Sequence, residues 1–129
     1  MLAYLATPYT KYGPGLPRAC KDAANVAGRL LQKGVMSYSP IVHGHMLATC
    51  TGMSTDYHVW IPHNEEMMRR CDALIVVHLP GWDRSVGIAD EIMFFENLAR
   101  PIFDLPDIET LELRRRGQRH DRGGLCAKW

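Results

Sequence analysis

The stretch Ser85-Val86-Gly87-Ile88-Ala89-Asp90-Glu91 sets a hydroxyl, a glycine and a carboxylate between an apolar run, Ala73 to Leu79, and a helix-like run, Ile88 to Ala99. A strand followed by a glycine-containing loop and the first turn of a helix turns backbone N–H groups toward an anion, and the helix dipole favours negative charge there. Glu91 falls one turn inside that helix, and a carboxylate beside a phosphate or sugar site is a candidate catalyst. The competing reading makes Glu91 an exposed helix residue, the usual position of Glu, and Ser85 a helix N-cap, a role compatible with anion binding.

These residues need a scaffold, and the hydrophobic pattern outlines one. Leu2 to Ala6 is a short apolar run closed by Thr7-Pro8, which predicts a buried strand. From Leu16 to Leu31 apolar residues recur at three-and-four spacing until Lys33-Gly34, which predicts a helix with its stop signal. Val35 to Tyr38 reads as a second strand and Ile41 to Thr49 as a short helix. Asp56 is a candidate N-cap for a helical stripe through Tyr57, Trp60, Ile61, Met67, Met68 and Cys71, with Pro62 expected to kink that helix or begin a new one. Ala73 to Leu79 is continuous and rich in Val and Ile, as expected of a strand covered on both faces. The next helix presents Ile88, Ile92, Phe95 and Ala99 on one face, and Pro101-Ile102-Phe103 begins a fourth strand. Ile108 to Arg116 reads as a short basic helix, and Gly117 to Trp129 as irregular. Alternation of strand and helix predicts a single-domain Rossmann-like α/β fold, a parallel sheet of four to five strands flanked by helices on both faces. Ligands of such sheets bind beyond the carboxyl ends of the strands, which directs attention to the loops Thr7 to Arg18, Ser39 to His45 and Pro80 to Gly87.

Bulk properties narrow the classes. With 129 residues the chain fits one domain over 1–129, its core at about 1–105 and a basic C-terminal extension at 106–129. A hydrophobic fraction of 47% and a charged fraction of 22% exclude a disordered composition. A net charge of +1 excludes strong general attraction to nucleic acid or acidic membrane. The longest apolar run is far shorter than the roughly 20 residues of a membrane span. The first six residues lack the basic and long apolar regions of a signal peptide, so a cytoplasmic protein is expected. Cys20, Cys50, Cys71 and Cys126 show no CxxC spacing, and three of the four occupy apolar-looking positions that predict buried free thiols.

Tyr4-Leu5-Ala6-Thr7-Pro8-Tyr9, Cys71-Asp72-Ala73-Leu74-Ile75-Val76-Val77 and Ser85-x-Gly87-x-x-x-Glu91 occur in the order found in the nucleoside 2-deoxyribosyltransferase-like superfamily, which the chain resembles over Met1 to Phe103. That superfamily includes deoxyribosyltransferases and nucleotide N-glycoside hydrolases. The resemblance implies that Glu91 attacks or stabilises the anomeric carbon while the base departs from an oxocarbenium-like transition state. A carboxylate suits that step, because breaking the N-glycosidic bond puts positive charge on the sugar, and a nearby anion acts most strongly where water is excluded. Transferases of free nucleosides carry Asp at the position of Ser85, whereas nucleotide hydrolases carry Ser. A carboxylate there would repel a 5′-phosphate, whereas Ser85, the Gly87 N–H and the helix dipole favour one, with Arg84 adding charge.

The resemblance further implies that the loop after Ala6 meets sugar and base, with Tyr9 stacking on a base or hydrogen-bonding near Glu91. Thr7 and Pro8 replace a Gly-containing pair of the hydrolases, and Lys11 is a substitute cation. Asn64 stands where the superfamily has an acid that binds sugar hydroxyls or helps protonate the leaving base; an amide can hydrogen-bond there but cannot be a general acid. His43 is expected to line a base pocket, Trp82 to wall the ligand, and Trp60 to sit in the core. The implied function is hydrolysis or transfer of the N-glycosidic bond of a nucleoside 5′-monophosphate or related nucleoside. The alternative is a non-catalytic nucleotide-binding module or sensor, motivated by Asn64. The expected partner is a small-molecule nucleotide or nucleoside, in a homodimer or higher homo-oligomer, with no membrane and no specific nucleic acid. No cofactor and no metal are assigned: His43-Gly44-His45 with His58, His63 or Cys50 matches no standard ligand spacing. The basic residues Arg114, Arg115, Arg116, Arg119 and Arg122 read as a solvated tail, or alternatively as completing a neighbour's pocket.

Overall fold

Residues 1–117 are described by the computed structural model of the chain. They form β1 (Leu2–Ala6), α1 (Leu16–Gln32), β2 (Met36–Tyr38), α2 (Pro40–Thr51), α3 (Tyr57–Arg70), β3 (Ala73–Val77), a single 3-10 turn (Trp82–Arg84), α4 (Val86–Asn97), β4 (Ile102–Leu105) and β5 (Arg114–Arg115). Arg119, Arg122 and Cys126 lie outside the described residues.

The sheet order is β2-β1-β3-β4-β5. The first four strands pair in parallel, with Tyr4 opposite Tyr38 on one side and Leu74 on the other. β5 pairs antiparallel to β4, with Asp104 opposite Arg114. The sheet is thus a Rossmann-like α/β sheet with one antiparallel edge. Its order reverses between β1 and β3: from β1 the chain moves outward to β2, then returns to the far side of β1. The loops leaving β1 and β3 therefore diverge and leave a crevice at the strand ends.

Alternation along β1 sends Ala3 and Leu5 to a core shared with Ala19, Val26 and Leu30 of α1. Tyr4 and Ala6 face the opposite core, which holds Met68 of α3 and Ile88 and Phe95 of α4. All five residues of β3 are buried, and each large aliphatic side chain covered this way contributes about 1.5–3 kcal/mol. α2 packs on α1 and reaches β1. Among the described residues no helix is long and apolar enough to cross a membrane.

Several expectations change. α3 continues through Pro62. That proline lies in the second turn, where its missing N–H removes only one bond of the helix ladder. Ala99 does not extend the apolar face of α4; it lies beyond the helix end with φ 54° and is exposed. The segment 108–116 is not a helix but a turn followed by β5, because Leu111 takes φ 55° and packs into the α1-side core. Arg116 then closes a fork on Asp104, with Nε to Oδ2 at 2.9 Å and Nη2 to Oδ1 at 2.7 Å. Of the cysteines, Cys71 is buried, Cys20 half-buried and Cys50 exposed on the outer side of α2.

Candidate functional site

A cleft of about 1040 Å³ opens at the carboxyl ends of β1 and β3. Its walls come from the loop after β1 (Thr7 to Lys11), from α2 (Gly44, His45), from α3 (Tyr57, Trp60, Asn64) and from the segment that leads into α4 (Gly81, Arg84 to Gly87, Glu91). At the upper end of the usual range for small-molecule sites, the volume accommodates a nucleotide-sized ligand.

Ser85 is where the chain turns from loop to helix. Gly81 takes φ 85°, which starts the 3-10 turn, and the Ser85 hydroxyl then caps α4 by accepting from the Ile88 N–H at 3.3 Å. The amides of Val86 and Gly87 precede the first ladder bond, made by Ala89 N–H to the Ser85 carbonyl, and so have no acceptor within the helix. Gly87 has no side chain at a place where one would fill the cleft. A Cβ there would lie 3.7 Å from the Tyr57 ring, 3.8 Å from Ser85 Oγ and 3.9 Å from Glu91 Oε1. Ser85 and Glu91 thus flank the same small space.

Glu91 opens toward the cleft on one side, yet its Oε2 is buried without a hydrogen-bond partner among the described residues. Burial pushes its carboxyl up to about 8; the nearby Tyr4 hydroxyl opposes the rise, and the charge of Asp90 adds to it. The Tyr4 hydroxyl is itself buried, lies near Glu91 and makes no hydrogen bond of ordinary geometry among the described residues; its pKa is raised first by burial and next by the Glu91 charge. Thr7 Oγ1, Ser37 Oγ and the Tyr38 hydroxyl are buried and, among the described residues, unpartnered as well. A buried group left wholly unsatisfied costs about 1–3 kcal/mol, and Tyr4 and Glu91 offset part of that cost for one another. Two of the five, Thr7 and Glu91, line the cleft, and Tyr4 is coupled to Glu91, so the strain in polar pairing gathers where a polar ligand would relieve it.

Eight of the expected residues line this cleft: Thr7, Pro8, Tyr9, Asn64, Arg84, Ser85, Gly87 and Glu91. Lys11 joins them. Tyr9 is not bonded to Glu91; its hydroxyl pairs with His45 Nδ1 at 2.7 Å.

His43 and Trp82 are corrections. His43 is exposed and stacks on His63, with ring centroids 5.2 Å apart and planes at 10°. Two residues along a helix turn a side chain by about 200°, so once His45 faces the cleft His43 cannot. Trp82 stacks on His78, centroids 3.9 Å apart and planes at 3°, instead of walling the cleft. His78 Nε2 is held by Asp104 Oδ1 at 2.8 Å, the carboxylate that Arg116 grips. Trp60, expected in the core, lines the cleft instead: it lies beside Gly44, with Nε1–H donating to the Ser54 carbonyl at 2.8 Å. Tyr57 is a further wall residue that the sequence reading passed over, its hydroxyl donating to Asp90 Oδ2 at 3.0 Å. Among the described residues no group of three or more His, Cys, Asp or Glu side chains could hold a metal ion.

Residues 2–106 match the family model described as a domain of unknown function, DUF1937. The chain belongs to the DUF1937 family. A comparison with curated proteins finds none that matches. Among solved structures this DUF1937 chain is similar to a 2-desoxiribosyltransferase from Leishmania mexicana, with a TM-score of 0.51 and 20% identity. The match covers 81% of this chain and 65% of that protein, so the chain spans less than two thirds of the length of the protein it resembles. At that identity the likeness concerns the fold alone.

Proposed function

We propose that this protein cleaves the N-glycosidic bond of a nucleoside 5′-monophosphate by hydrolysis, with transfer to another acceptor as the lesser variant. The observation that carries the reading is Glu91: a carboxyl with one oxygen buried and unpartnered, facing a nucleotide-sized cleft beside a serine-capped helix N-terminus. Ionised, it would offset the positive charge that develops at C1′, in surroundings where water screens little. Ser85, the free amides of Val86 and Gly87 and the guanidinium of Arg84 would receive the phosphate. Trp60 and Tyr9 offer rings to the base, and Asn64 a hydrogen-bonding amide to the sugar. The distant likeness in fold to a deoxyribosyltransferase supports this reading and does not carry it.

The test is incubation of the purified protein with the common ribo- and deoxyribonucleoside 5′-monophosphates, following free base by chromatography. Release of base by the wild type and its loss in Glu91→Ala are expected. No release from any of them, or equal release by the variant, would remove the proposal. Asn64, which lines the cleft in place of an acid, favours a second reading as a nucleotide-binding module without turnover. That reading expects the monophosphates to raise the melting temperature while releasing no base.

A further inference from the structure

Cleaving an N-glycosidic bond leaves an electron pair on the departing base, which leaves far more readily when a proton reaches it. Asn64 cannot supply that proton, so another group in the cleft must be sought. Lys11, Arg84 and His58 line the cleft but are exposed. Tyr57 has its hydroxyl committed to Asp90, and burial followed by that bond raises its pKa, which makes it a poor donor. Asp56 caps α3 as an acceptor from the His58 N–H at 2.9 Å.

His45 differs from all of these. It is half-buried in the cleft wall, and its ring is fixed by two contacts with one partner. Tyr9 meets it edge-on at 5.8 Å and 76°, and the Tyr9 hydroxyl bonds its Nδ1 at 2.7 Å. Burial raises the Tyr9 pKa, so the phenol stays protonated and can accept from an Nδ1–H while keeping its own proton. Nε2 has no hydrogen-bond partner among the described residues. An imidazole oriented through one nitrogen with the other free is the usual form of a general acid or base.

We infer that His45 is the catalytic acid that protonates the leaving base, and that Tyr9 is the positioning residue that holds its ring. The inference rests on the proposed glycosidic cleavage. In the step, the C1′–N bond breaks and its electron pair stays with the base, which takes the proton from His45 Nε2. The Glu91 carboxylate faces the cationic sugar. Water oxygen then bonds to C1′ and one water proton returns to His45 Nε2, so that nucleotide and water become free base and sugar 5-phosphate.

The experiment uses two substrates: the nucleoside monophosphate cleaved fastest, and a nitrophenyl riboside 5-phosphate, whose phenolate departs without a proton. His45→Gln is expected to lose about 100-fold or more in kcat/KM on the nucleotide and less than about tenfold on the nitrophenyl substrate. Glu91→Gln is expected to lose activity on both. Tyr9→Phe, which keeps the ring and removes only the hydroxyl, is expected to repeat the selective pattern at smaller size. Melting temperatures of the variants establish that they are folded, and a misfolded His45→Gln leaves Tyr9→Phe to decide. A loss in His45→Gln that is equal on the two substrates, or no loss, overturns the role of His45 while leaving Glu91 in place. A wild type that cleaves neither substrate overturns the glycosidic reading, and this assignment with it.

Discussion

Replacing Glu91 by Gln removes a charge that the fold buries and keeps the side chain's shape. The carboxyl rises from its ordinary 4.5 to about 8 on folding. The folded protein therefore holds this proton more tightly than the unfolded chain does. Its contribution to stability is greatest below about pH 4.5, falls as pH rises and is fully lost above about 8. At about 1.4 kcal/mol for each pH unit the whole change amounts to about 5 kcal/mol. One side of Glu91 opens to the cleft, so solvation there reduces the expected change to roughly 2–5 kcal/mol. For a chain of this size that corresponds to a swing of roughly 8–20 °C in the melting temperature. Glutamine leaves polar atoms buried too, at a cost independent of pH, and every other titrating group is shared by the two proteins. Both effects cancel when the difference between Glu91→Gln and wild type is followed against pH. The variant is expected to gain on the wild type steadily between about pH 5 and about pH 8 in thermal or urea melts, then run parallel to it. A difference that stays flat over this range would refute the reasoning from a buried carboxyl.

Gly87→Ala places a methyl between Ser85 Oγ and Glu91 Oε1 at ordinary contact distances, so it is expected to melt within a few degrees of the wild type while binding a nucleoside monophosphate at least about tenfold more weakly by calorimetry. Undiminished affinity would show that the ligand does not use this space. On the nitrophenyl substrate, kcat/KM is expected to rise with pH and level off above about 8 as Glu91 ionises; a decline over the same range would assign Glu91 the proton-donating role instead. Tyr4→Phe removes the hydroxyl that holds the Glu91 carboxyl down, so the midpoint of that profile is expected to move to higher pH, and a midpoint that stays or falls contradicts the coupling.

Local signals carried the fold where neighbours in sequence are also neighbours in space. β3 is legible because all five of its residues are buried, leaving an unbroken apolar run. The start of α4 is legible because Ser85 caps it. Between 108 and 116 the same kind of reasoning fails, since Ile108 and Leu111 have helical spacing but are drawn into the α1-side core, while Arg116 is drawn to Asp104. The site divides in a similar way. Glu91, Gly87 and Ser85 share one short motif, whereas the part played by Tyr4 depends on α4 lying over β1, a contact across most of the chain. Period-two alternation in β1 does put Tyr4 on the α4 face, and that was the available signal. His43 and His45, like Trp60 and Trp82, are equivalent in composition, and only the rotation of α2 and the path of the 3-10 turn choose between them.

The sheet ends at both sides in very short strands, three residues at β2 and two at β5, and the latter pair are exposed arginines. Unpaired strand borders invite other chains to add on, and brevity with positive charge is a standard defence against it. Within the described residues the protein thus offers little template for growing into a ribbon with its own copies. Neither border, among the described residues, runs along the crevice between β1 and β3, so the protection of the edges and the opening of the cleft make no competing demands on the same residues.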